Sequence, residues 1–178
     1  MNKRKLVRWL GIPVIGLLLF FRMRNEQHML DLLLAETVMA FAYIAAAVDI
    51  REKRVPNGLV IAMLAAWVVI LAPQLLVHTE TALFTGILGL LGFLLGGVLF
   101  LIVYMVSRKG LGGGDVKFMA AAGLYLGPVG TLSAMLYGSV LAALACGVLL
   151  LLKKMKKKDT IPLVPFLFAG VLLVLFAG

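Results

Sequence analysis

The sequence predicts an all-α fold, a polytopic membrane helix bundle, and three observations carry that prediction. Of the 178 residues 63% are hydrophobic and only 14% charged, and the mean hydropathy is +1.10, more than the core of a soluble domain of this size needs. The apolar residues gather in runs as long as a bilayer-spanning helix, separated by short charged or Gly/Pro-containing breaks. Those breaks are alternately basic and neutral. No run shows the strict alternation of a membrane β-barrel strand.

The first element is the least regular. Met1 to Arg8 is basic, and the apolar stretch 9–21 behind it has the length of a signal-peptide core. No small-x-small cleavage site follows it, because "FFRMRNEQH" comes next, so retention is expected. Six longer or better bounded runs follow, at 29–49, 58–78, 82–106, 115–127, 131–152 and 161–177. The run 115–127 is short and holds Gly123 and Gly127 with Pro128 just behind, so it needs packing to be stable. Glycines 86, 89, 92, 96 and 97 in the preceding run would let another helix approach closely.

Loop charge sets the orientation. "REKRVPN" (51–57), "SRKG" with Lys117, and "KKMKKK" (153–158) hold nearly all the internal Lys and Arg, while "PQLLVHTET" and "LGPVGT" hold none. The first three are therefore expected in the cytoplasm and the other two outside. The run 29–49 then travels inward, and the basic tail before it is on the wrong side unless 9–21 also crosses. Seven spans are expected: residues 1–28 as a basic N-terminus with an extra span, and 29–178 as a six-helix domain in the cell membrane. Arg22 and Arg24 on the outside oppose the extra span.

The formal net charge of +9 sits in these loops, which argues for membrane topology and against a nucleic-acid partner. The partner this charge implies is the lipid bilayer. Cys146 is the only cysteine and lies in an apolar run, so there is no disulfide framework and no CxxC pair, and neither metal nor cofactor is expected.

A charge near a bilayer is costly, so each of the eight acids asks for a reason. Glu26, Glu52, Glu80 and Asp159 fall in loops. Asp31 is interfacial, and Glu36, roughly 20 Å from Asp49 along a helix, suits a buried hydrogen-bonding acid, a packing contact or a water-filled cavity. Asp49 ends a helix running inward and Asp115 begins one running outward, so the two reach the same boundary. Each has an ordinary alternative: Asp115 as a helix N-cap, Asp49 as the partner of Arg51 or Arg54. Together they suit acid–base chemistry. Two carboxylates sharing a water hold one proton between them, so the charged one can take a proton from water while the neutral one polarises a carbonyl. Helix ends alone favour Asp115 as the base and Asp49 as the acid.

The stretch "GLGGGDVK" resembles the GxGD motif, here Gly112-Gly113-Gly114-Asp115, of the type IV prepilin peptidases and preflagellin peptidases. "DIREKRVPN" (49–57) is similar to that family's other aspartate segment, with Pro56 and Asn57 in its turn. "IPLVPFLFAG" (161–170) is similar to the opening of its last helix, with Pro162 and Pro165, although Leu163-Val164 stand between the prolines where the family commonly has a glycine before the second. The resemblance covers about residue 30 to the end. It implies a membrane aspartic endopeptidase, with Asp49 and Asp115 as the catalytic pair at the cytoplasmic boundary, that cuts the basic leader from type IV pilin-like precursors. Lys117 would belong to the supporting motif, and Gly112, Gly113 and Gly114 would use positive φ to let a substrate backbone approach the acid. Larger members carry an N-terminal CxxC region and methylate the new N-terminus; with one cysteine, this chain is expected to lack methyltransferase activity. The rival reading is a small proton- or ion-coupled transporter using buried carboxylates.

Overall fold

The computed structural model describes residues 29–107, 112–153 and 161–177. Among them are five helices and no strand: α1 (Met29–Glu52), α2 (Asn57–Val77), α3 (Thr79–Val106), α4 (Gly113–Leu151) and α5 (Val164–Ala177). Four are long and apolar enough to cross a membrane. The fold is therefore the expected all-α membrane bundle. The expected span 9–21 and most of the basic run 153–158 lie outside the described residues.

The six expected runs from residue 29 onward reappear as five helices because α4 is folded double. Gly127 has φ 62° and ψ −178° inside it, a conformation that favours glycine, and Pro128 follows. Met119 and Thr131 stand on opposite sides of this break. The Met119 carbonyl oxygen and the Thr131 methyl nevertheless lie 2.7 and 3.0 Å from the point that a Cβ on Gly96 would occupy. The chain thus turns back on itself at Gly127, and the Thr131 hydroxyl donates to the Gly127 carbonyl at 2.6 Å across the first turn of the returning half.

The other neutral break is shorter than expected. "PQLLVHTET" is almost wholly helical: Pro73 lies inside α2, and His78 alone separates α2 from α3, its N–H donating to the Gln74 carbonyl at 2.7 Å. Glu80 then falls in the first turn of α3, where a negative charge suits the helix N-terminus.

The first half of α4 is the centre of the bundle. Phe118 to Tyr125 are all buried, whereas the returning half exposes Leu132, Leu136, Val140, Leu144 and Val148 along one face. In a bilayer such an apolar face meets lipid and needs no protein cover. Close backbone approach makes the central position possible. A Cβ on Gly92 would overlap the Gly123 carbonyl oxygen, and one on Gly123 would overlap the Gly92 carbonyl, so α3 and α4 meet backbone to backbone. On the other side, Gly138 and Gly170 do the same between the returning half of α4 and α5.

Candidate active site

The two ends that matter are built differently. α1 continues one turn past Asp49 to Glu52, and Lys53, with φ 51° and its N–H on the Asp49 carbonyl at 2.8 Å, closes the helix in the left-handed conformation common at helix ends. Asp49 therefore points from the last full turn of α1 and is only 3% exposed. Arg54 pairs with Glu52, Nε to Oε2 at 3.0 Å, and so is not the partner of Asp49. Asp49 Oδ2 instead accepts the backbone N–H of Val164, the first residue of α5, at 3.1 Å.

Asp115 is the third residue of α4, and Gly112 is the N-cap. Its Oδ2 reaches back to accept the Gly112 N–H at 3.0 Å, while its own N–H donates to the Gly112 carbonyl at 3.1 Å. This is the reverse half of a capping box. The forward half is missing because the glycine at the cap has no side chain. Asp115 is 8% exposed and close enough to Asp49 for the two charges to interact.

The two carboxylates thus converge at one end of the bundle, each with Oδ2 held by one backbone amide. Neither accepts a further hydrogen bond among the described residues. Both also stand at a helix N-terminus, Asp115 at that of α4 and Asp49 at that of α5. Asp49 thus meets two helix ends at once, the C-terminus of α1 and the N-terminus of α5. The N-terminus of α5 offsets the other, so the argument for Asp49 as the acid loses its ground.

The glycine platform works otherwise than expected. Gly112 is extended, with φ −79° and ψ 140°, Gly113 and Gly114 are helical, and Gly127 is the one glycine with positive φ among the described residues. A Cβ on Gly112 would lie 3.1 Å from Asp115 Oδ2, so the missing side chain makes room for the carboxylate. A Cβ on Gly114 would lie 3.0 Å from the Val55 nitrogen, so this glycine lets α4 dock on the loop after α1. Gly113 faces open space.

Two further expected residues meet across that docking point. Lys117 Nζ donates to Asn57 Oδ1 at 3.0 Å, joining the first turns of α4 and α2. Pro56 is the N-cap of α2, and Pro165 falls in the first turn of α5, where a missing N–H costs little. Arg51, Lys53 and Lys117 are exposed around the site. No group of three or more His, Cys, Asp or Glu side chains suited to a metal ion occurs among the described residues. Residue-level reading did not single out Val55 or Val164. The only signal for Val164 was its place between two prolines.

A model of the type IV leader peptidase family matches residues 36–151, more than half of the chain and including both aspartates. The chain belongs to the type IV leader peptidase family. Membership in that leader peptidase family and the four long apolar helices make it a multi-pass membrane protein. A curated relative, the prepilin leader peptidase/N-methyltransferase of Bacillus subtilis (strain 168), is 28% identical over 150 residues, 84% of this chain. The match covers 57% of the relative, so the chain spans little more than half of that protein's length. No solved structure matches the chain. The family match ends before α5, and therefore before the donor to Asp49.

Proposed function

We propose that this protein is an aspartic endopeptidase that removes the basic leader from type IV pilin-like precursors, with Asp49 and Asp115 as its catalytic pair. One observation carries the reading: two buried carboxylates from helices far apart in sequence converge at one end of the bundle, each with one oxygen fixed by a backbone amide and the other accepting no hydrogen bond among the described residues. Structural acids in a membrane bundle are expected to be fully satisfied. Two whose charges interact, each with an oxygen to which no described residue donates, suit a shared water.

In the reaction, the ionised carboxylate takes a proton from that water as its oxygen attacks the scissile carbonyl carbon, and the neutral carboxylic acid gives its proton to the carbonyl oxygen. The tetrahedral diol then collapses. The carboxyl that took the water's proton passes it to the departing amine, the C–N bond breaks, and a diol proton returns to the other carboxylate. The net change is hydrolysis of one peptide bond.

The exposed basic residues Arg51, Lys53 and Lys117 at this end favour the cytoplasmic boundary by the positive-inside rule. Gly113, facing open space beside Asp115, is the glycine left to admit a substrate backbone. The 29–178 segment acts as the peptidase domain. The acids lie at helix ends, at a membrane boundary, which fits a leader cut just before a hydrophobic helix better than it fits a transport path through the bilayer centre.

Co-expression with a leader-bearing prepilin tests the proposal. The wild type is expected to yield mature pilin, and Asp49→Asn or Asp115→Asn to leave the precursor intact. Normal leader removal by both variants would sink it.

A further inference from the structure

We infer that the backbone N–H of Val164 is the positioning group for Asp49: the opening turn of α5 holds one carboxylate oxygen so that the other meets the water shared with Asp115. The inference rests on the reading of the two aspartates as the catalytic pair.

The donor comes from 115 residues away, because α1 has none to offer there. Near the C-terminus of a helix the free backbone groups are carbonyls, which repel a carboxylate; free N–H groups occur at the N-terminus. The end of α5 supplies one. Counting the amides of its first turn shows how narrowly. Val164 donates to Asp49, Pro165 has no N–H, and the N–H groups of Phe166 and Leu167 both go to the Leu163 carbonyl, at 3.0 and 3.1 Å. Val164 is thus the single amide of the turn given to the carboxylate.

The surroundings make this bond strong and its geometry fixed. Val164 is fully buried and Asp49 nearly so, and a hydrogen bond to a carboxylate in so buried a place is costly to lose. α5 itself is held on two sides. Gly138 and Gly170 bring it backbone to backbone with the returning half of α4, and Phe168 packs edge-on against Tyr43 of α1, with ring centroids 6.0 Å apart. The donor cannot move unless the whole helix moves.

The test uses the full chain in proteoliposomes, with a purified leader-bearing precursor. In one protein an ester replaces the Leu163–Val164 peptide bond, which deletes this N–H and also weakens the Leu163 carbonyl as the acceptor of the Phe166 and Leu167 amides. Val164→Pro deletes the same donor at the first helical position, where proline is tolerated. Both are expected to keep KM while kcat falls on the order of 10²-fold, the effect of a misplaced catalytic group. A control ester in place of the Pro165–Phe166 bond, which weakens the opening turn of α5 by deleting an N–H that goes to the Leu163 carbonyl and not to Asp49, is expected to leave kcat unchanged. Equal kcat for the two esters, or a rise in KM that accounts for the whole loss, would overturn the positioning role. If Val164→Pro fails to fold, the pair of esters decides alone. Full cleavage by the Val164 ester together with loss in Asp49→Asn overturns only this inference; full cleavage by Asp49→Asn overturns the catalytic reading beneath it.

Discussion

Asp49 and Asp115 come to the same end of the bundle, yet they are held in opposite ways. Asp115 is fixed by its own helix, by an amide three residues back and by a glycine whose missing Cβ makes room for the carboxylate. Asp49 is fixed by a helix 115 residues away, across a contact that exists only when the whole bundle is assembled. One half of the pair is a local device, the other a product of the fold. A local device survives loosening of the bundle, and a fold-dependent one does not.

The largest test of that contrast is removal of either carboxyl. Asp49→Asn and Asp115→Asn each keep the shape of the side chain and are expected to lower cleavage by on the order of 10²- to 10⁴-fold, the usual weight of a general acid or base. A quantitative precursor-processing assay checks it. A loss in only one variant would break the pairing and leave a single functional acid.

Next come the glycines that bring α4 to the centre. Gly123→Val forces a side chain onto the Gly92 backbone, and overpacking of this kind costs about 1–3 kcal/mol or more. Thermal unfolding in detergent should show it. Because Asp115 is held locally and Asp49 through the assembly, near-midpoint heating of this variant should end cleavage before the α4 helix itself melts.

The link between Lys117 and Asn57 is exposed and smaller. Lys117→Ala and Asn57→Ala should each cost about 1 kcal/mol, and the double variant should cost little more than either alone. Strict additivity in that cycle would show that the two side chains do not act together.

Smallest is Gly113→Ala. With nothing within reach of the new methyl group and a helical backbone, it should stabilise α4 by about 1 kcal/mol or less. A fall in cleavage at unchanged stability would identify Gly113 as the place where the substrate backbone passes.

Much of this was legible in the residues. Apolar runs and loop charges are local properties, so the spans from residue 29 on were readable, apart from their ends. α2 and α3 ran together through "PQLLVHTET" because a single residue, His78, suffices to turn the chain, and Pro73 is tolerated inside a helix. Gly127-Pro128 marked the reversal in α4. Gly112 to Gly114 were rightly noticed but for the wrong reason: positive φ was expected, and the need was space for a carboxylate and for Val55. The ordinary alternative for Asp49 looked to its own neighbourhood, to Arg51 or Arg54, and Arg54 is taken by Glu52.

By itself the sequence determined the all-α membrane class and most break points of the bundle, because hydropathy, chain length and turn residues act over a few turns of helix. Only the tertiary structure decided that the two acids come near enough for their charges to interact, that the first half of α4 is the buried centre, and that an amide of α5 holds Asp49. Those depend on which helix faces which, and that is set by close backbone contacts between glycines far apart in the chain, a pairing that no local pattern encodes.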